Sequence, residues 1–182
     1  MASDFLYLSD NNNVTLNKLG GKEFAINKAK TKVAIEDMAK ELLELYAKRK
    51  NSKGYKYSDD NYLCTEFDNA FEYTETPDQM QAIQDIKADM TSGKVMDRLI
   101  CGDVGYGKTE VAMRAGFRTC IEGKQVAVLA PTTILSYQHF ITFSKRFKNF
   151  GMRVEMLNRF KTAKERNEII SKLKEGKIDI IC

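Results

Sequence analysis

The eight residues Gly102-Asp103-Val104-Gly105-Tyr106-Gly107-Lys108-Thr109 constrain this chain more than any other stretch, because they fit the pattern G-x-x-x-x-G-K-[ST] at every required position. The pattern has meaning only between a strand and a helix. Asp97–Cys101 is a short apolar run that predicts the strand, and Val111, Ala112, Ala115, Cys120 and Ile121 recur at helical spacing until Gly123. Average residue usage makes a chance match in a chain of this length roughly a one-in-a-hundred event. The bland alternative is a glycine-rich turn that opens an ordinary helix.

The chemistry accounts for the letters. Glycines let successive backbone N–H groups turn inward toward phosphate oxygens, and the helix that follows adds the positive end of its dipole. Lys108 would reach the β- and γ-phosphates, and Thr109 would offer its hydroxyl to Mg²⁺. A nucleoside triphosphate with magnesium is the expected ligand. Gly102 through Glu110 are the candidate nucleotide-binding residues, with Lys108 and Thr109 also the candidate catalytic ones.

Downstream the pattern alternates. Gln125–Ala130 predicts a strand ending at Pro131, Thr132-Thr133 a cap for a helix to about Phe147, and Met152–Leu157 a second strand. Thr162 and Glu165 form a capping box that opens a helix through Leu173, stopped by Gly176, and Ile178–Cys182 begins another strand. Such alternation predicts an α/β fold, a parallel sheet with helices on both faces and ligands at the carboxyl ends of its strands, behind the P-loop.

Upstream, Phe5–Leu8 and Val14–Leu16 read as short strands of a small β unit, closed by Gly20-Gly21. From about Lys28 to Lys50, Ile35, Met38, Ala39, Leu42, Leu45 and Tyr46 share one helical face, and Glu36–Lys40 and Glu44–Lys48 add pairs four apart, with Gly54 ending the helix. A short helix carrying Leu63, Phe67 and Phe71 follows. Thr76-Pro77-Asp78-Gln79 then opens a helix with Thr as cap, Pro at the first position and Gln three after the cap. Gln79 therefore has two readings, capping partner or a side-chain amide for both edges of an adenine, and spacing favours the cap.

Composition narrows the class. A chain of 182 residues with 43% hydrophobic content can bury one sizeable core. No apolar run approaches the ~20 residues of a bilayer span, and the start lacks a secretory signal, so a cytoplasmic protein without membrane contact is expected. Cys64, Cys101, Cys120 and Cys182 form no C-x-x-C pair and His139 is the sole histidine, which suggests neither a disulfide framework nor a zinc site. Net charge runs +4 over Asn17–Lys32, −8 over Asp59–Met90 and +4 over Arg153–Lys177. Charge runs are usually solvated surface, though the basic ones suit a polyanion.

Phe71 to Thr109, with Thr-Pro-Asp-Gln, Met-Asp-Arg-Leu-Ile-Cys and the glycine-rich loop, resembles the first motor lobe of the bacterial transcription-repair coupling factors, superfamily-two DNA translocases. Pro131–Leu135 with Gln138-His139, and Leu157–Phe160, resemble that family's DNA-facing motifs. Lys18–Phe24 and Glu41–Ala47 look like the end of its RNA-polymerase-interacting domain and the helix joining that domain to the motor, which separates it from the similar branch-migration helicases. The resemblance implies residues 1–27 as the end of the small β domain, 28–56 as the connecting helix and 57–182 as the N-terminal part of a P-loop, RecA-like ATP-binding lobe. It makes Gln79 an adenine reader and Phe71 a neighbour of the base. It also implies DNA contacts at Thr132, Thr133, Gln138 and Arg159, and double-stranded DNA, RNA polymerase and excision-repair proteins as partners.

The departures are as informative. The sequence lacks the family's Gly-Thr-His segment, its Asp-Glu motif for magnesium and water, and the second lobe with its arginine finger. The expectation is a fragment that holds nucleotide and turns it over poorly. Two rivals remain: a small-molecule kinase, which would need a substrate lid, and an interaction module built on the long helix, indifferent to nucleotide.

Overall fold

The computed structural model describes residues 22–182 and divides into two units, residues 1–51 and 52–182. The strands expected at Phe5–Leu8 and Val14–Leu16 lie outside the described residues. In the first unit, α1 spans Lys22–Asn51, beginning six residues before the apolar periodicity does. Lys32 with Glu36 and Asp37 with Lys40 are among its surface pairs. Lys48, Arg49 and Lys50 sit in its last turn, where cations offset the helix dipole.

The helix ends before Gly54, whose work lies elsewhere. A β-carbon on Gly54 would stand 2.3 Å from the Lys94 carbonyl, so only glycine permits the backbone approach seen here. Its N–H donates to the Gly93 carbonyl at 3.0 Å, beside an antiparallel bridge between Lys53 and Lys94.

In the second unit, α2 (Tyr62–Asn69) is capped by Asn61, and Phe71 falls beyond its end. The next helix, α3 (Pro77–Thr91), begins at the expected capping box, with Thr76 and Gln79 exchanging both bonds. Then come α4 (Lys108–Ile121), β1 (Val126–Ala127), α5 (Thr133–Phe147), β2 (Val154–Glu155), α6 (Ala163–Lys174) and β3 (Ile180–Ile181). Thr162 and Glu165 make the second expected capping box at the start of α6. Both boxes satisfy amides that a bare helix start leaves without partners.

The three strands form one parallel sheet in the order β1-β3-β2, with Ile180 level with both Val126 and Val154. Helix α5 carries the chain from β1 over β3 to β2, and α6 brings it back. Right-handed crossovers in opposite directions put these two helices on opposite faces of the sheet. On one face Phe67 and Phe117 stack with centroids 4.1 Å apart, and Phe143, Phe147, Ile180 and Cys182 complete a core shared by α2, α4, α5 and β3. A second cluster joins α3 to α4 through Ile83, Ile86, Met90 and Val111.

The strand predicted at Asp97–Cys101 is not formed. Residues 97–101 are assigned to no strand, and Leu99 is 84% exposed. A strand is defined by its ladder, and here an apolar groove of about 700 Å³ intervenes, walled by Val95, Met96, Arg98 and Ile100 and by Val126 of β1. Ala112, Ala115, Gly116 and Thr119 of α4 also line it.

Candidate nucleotide site and nucleic-acid face

The glycine-rich loop turns as its composition requires. Gly105 and Gly107 have φ of +86° and +67°, where a side chain is strained. Gly107 is the N-cap of α4 and supplies no side-chain bond, which leaves first-turn amides without a side-chain cap. Val104 and Tyr106 project into solvent at 98% and 62% exposure, while Lys108 and Thr109 are half-buried. The Lys108 ammonium folds back on its own loop, donating to the carbonyls of Gly102 at 2.6 Å and Asp103 at 2.5 Å. An anion in the loop would compete for that proton donor with two neutral carbonyls, and charge favours the anion.

Gln79 joins the cap of α3 to this loop. Its Oε1 accepts from the Thr76 N–H at 2.8 Å, while its Nε2 donates to the Tyr106 carbonyl at 2.9 Å. A β-carbon on Gly107 would approach that Nε2 to 2.5 Å. Both ends of the amide are thus engaged within the protein. Phe71 packs edge-on against Tyr73 with centroids 5.5 Å apart, and the Arg114 guanidinium lies 5.4 Å from its ring centre.

Glu110, directly after Thr109, is buried, 5% exposed, and its carboxylate accepts from Arg114 Nε at 3.0 Å and Arg146 Nη2 at 2.9 Å, so its side chain belongs to a salt-bridge cluster. Arg114 also donates to Glu75 and lies 3.4 Å from Asp68; Arg118 binds Asp60 at 2.8 Å, and Lys87 meets the same Asp60 at 2.8 Å. Burial alone would lower the Arg114 pKa, but the hydrogen bonds it donates to Glu75 and Glu110 carry it above its ordinary value. The Arg118 hydrogen bond holds Asp60 low, and the Arg114 bond does the same for Glu75. Asp68 goes the other way, because desolvation outweighs the same two arginines.

The acidic stretch before Met90, read as solvated surface, therefore supplies the partners of α4's buried arginines. Sequence reasoning missed Arg114, Arg118 and Arg146. The spacing of four between Glu110 and Arg114 was the available signal for one of them.

On the other side of the sheet's carboxyl end, Thr132 caps α5 by accepting from the Leu135 N–H at 3.3 Å. Thr133 lines a groove of about 510 Å³ with Tyr137, Asn158, Phe160 and Lys161, which brings the start of α5 to the loop after β2. Arg159 is exposed with its guanidinium 5.2 Å from the Phe160 ring centre. Gln138 is exposed one turn into α5, and its carbonyl accepts from the Thr142 hydroxyl. Because α4 leads into β1 from its C-terminal end, its N-terminus and the phosphate loop lie toward the carboxyl ends of the strands, as do Thr132 and Arg159.

Among the described residues no group of three or more His, Cys, Asp or Glu is placed to hold a metal ion, and no helix is long and apolar enough to cross a membrane. A half-buried hydroxyl such as that of Thr109, next to Lys108, fits an ion held chiefly by phosphate oxygens and water.

The model of the DEAD/DEAH box helicase family matches residues 76–182, more than half of the chain. The chain belongs to the DEAD/DEAH box helicases. Among curated relatives, this helicase chain is 56% identical to the transcription-repair-coupling factor of Borreliella burgdorferi over 95% of its length, and 51% identical to that of Bacillus subtilis over 91%. The chain spans only 15% and 14% of those proteins. The resemblance read from the motifs is thus upheld across nearly the whole helicase chain. Its structure resembles that of RecG bound to a three-way DNA junction, with a TM-score of 0.70, 35% identity and coverage of 76% of this chain and 19% of RecG.

Proposed function

We propose that this chain is the nucleotide-binding part of the first RecA-like lobe of an ATP-driven double-stranded DNA translocase of the transcription-repair-coupling type, which displaces stalled RNA polymerase and passes the site to excision repair. The observation that carries the reading is the phosphate loop at the uncapped start of α4, with Lys108 donating to loop carbonyls that a phosphate can displace. The high identity to coupling factors supports the specific assignment over the RecG-like one. Residues 1–27 belong, in this proposal, to the polymerase-interacting domain, 28–56 to the connecting helix and 57–182 to the motor.

Loop amides from Gly102 to Thr109 take the phosphates, and Lys108 neutralises the terminal groups. Magnesium, when bound, offsets phosphate charge, and Thr109 offers it a hydroxyl. Gln79 reads adenine once its amide leaves Tyr106, with Phe71 beside the base. Thr132, Thr133, Gln138 and Arg159 face backbone phosphates, so duplex binding is insensitive to sequence and steeply salt-dependent.

The test is titration with a fluorescent ATP analogue in the presence of Mg²⁺. Lys108→Ala removes a charge-assisted contact of about 1.5–3 kcal/mol, so affinity falls roughly 10- to 100-fold with the circular dichroism spectrum intact. Equal binding by wild type and variant would defeat the reading.

A further inference from the structure

Glu110 is the acidic residue of the first turn of α4, two positions past Lys108, and burying a carboxylate there is costly unless it is paired. Two guanidinia meet it from different elements. Arg114 comes from one turn further along α4. Arg146 comes from the last turn of α5 and donates twice, through Nη2 to Oε1 at 2.9 Å and through Nε to Oε2 at 3.3 Å. Arg146 is itself pinned: it donates to the Phe67 carbonyl at 2.6 Å, and its guanidinium lies 3.9 Å from the Phe67 ring centre.

Apolar side chains would pack α4 on α5 without desolvating any charge, so holding the helices together does not require this arrangement. What a two-pronged guanidinium–carboxylate contact adds is direction, since both prongs align in only one mutual placement of the helices. At the opposite end of α5 stand Thr132 and Thr133. If they shift to follow a phosphate, α5 either carries Glu110 with it or pulls the fork apart and leaves a buried carboxylate short of partners.

We infer that Arg146 is a positioning residue that couples the two ends of α5: the Arg146–Glu110 fork makes α5 and the first turn after the phosphate loop move together, so duplex binding and nucleotide binding are linked. The inference rests on the nucleotide and DNA assignments proposed above. Linkage is reciprocal, so either ligand can report it.

The experiment measures the dissociation constant of a fluorescent ATP analogue with Mg²⁺, at low salt, for the 182-residue chain with and without saturating duplex DNA. Wild type is expected to show a ratio of about fivefold or more between the two conditions, and Arg146→Gln a ratio within about twofold of unity. Arg146→Lys keeps the charge without the fork and restores part of the ratio. A merely structural weakening would raise both constants together and leave the ratio where it was. If Arg146→Gln does not fold, Glu110→Gln, of nearly equal volume, gives the same reading. A ratio of one in wild type, or an unchanged ratio in both folded variants, overturns the inference. Failure of wild type to bind nucleotide at all sinks the proposed function instead.

Discussion

Arg114→Met is the sharpest test of how the second unit is held together. The arginine is 3% exposed and faces three carboxylates: Glu110 at 3.0 Å, Asp68 at 3.4 Å and Glu75. Methionine fills much of the volume but removes the charge, so the cluster keeps an uncompensated negative charge out of water. Breaking a buried pair from one side costs about 3–5 kcal/mol. The lower end applies, because Glu110 keeps Arg146 and the side chains of Asp68 and Glu75 retain 27% and 23% exposure through which water can reach them. At about 4 °C per kcal/mol for a unit of this size, a loss of ~3 kcal/mol lowers the melting temperature by roughly 12 °C. Urea unfolding followed by far-ultraviolet circular dichroism measures it, with Arg114→Lys expected to fall between the two because an ammonium cannot reach three carboxylates at once. A change under about 0.5 kcal/mol for Arg114→Met would place the carboxylates in effective contact with solvent and refute the reasoning.

Two further outcomes are expected. Gly107→Ala puts a side chain at a φ of +67° and 2.5 Å from Gln79 Nε2, so it should cost about 1–2 kcal/mol in stability, with nucleotide affinity dropping further than stability, as urea unfolding and analogue titration will show. Stability should also fall as pH drops below 4.5, the ordinary glutamate value. Asp60 and Glu75 titrate below their unfolded values, so their stabilisation is present above those values and is lost as pH falls through the folded ones. Asp68 has the opposite sign, favouring the fold in acid and losing that contribution as pH rises through its elevated pKa, which blunts the acid transition. Thermal melts across the acid range decide it, and Arg114→Met should show a shallower acid loss because Glu75 has lost the bond that holds it low.

Much of this was legible wherever the physics is local. The two capping boxes, the Thr132 cap and the positive-φ glycines of the phosphate loop each rest on a few adjacent residues, and each appears where the letters put it. Strands were less legible: Gln125–Ala130 shrank to Val126–Ala127, and Asp97–Cys101 made no ladder, because pairing is decided by neighbours distant in sequence. The charge cluster was least legible. Asp60, Asp68 and Glu75 looked like solvated acids, and nothing local marks them as partners of arginines 39 to 58 positions away.

The groove between residues 95–100 and β1 has a consequence for anyone handling the protein. Its walls are residues 95–100, which belong to no strand, and Val126 of β1, beside small residues of α4. Among the described residues β1 pairs only with β3, and extended peptides add to sheet edges of this kind through main-chain hydrogen bonds. Self-association of concentrated protein through this seam is the expected consequence, and light scattering across a dilution series checks it.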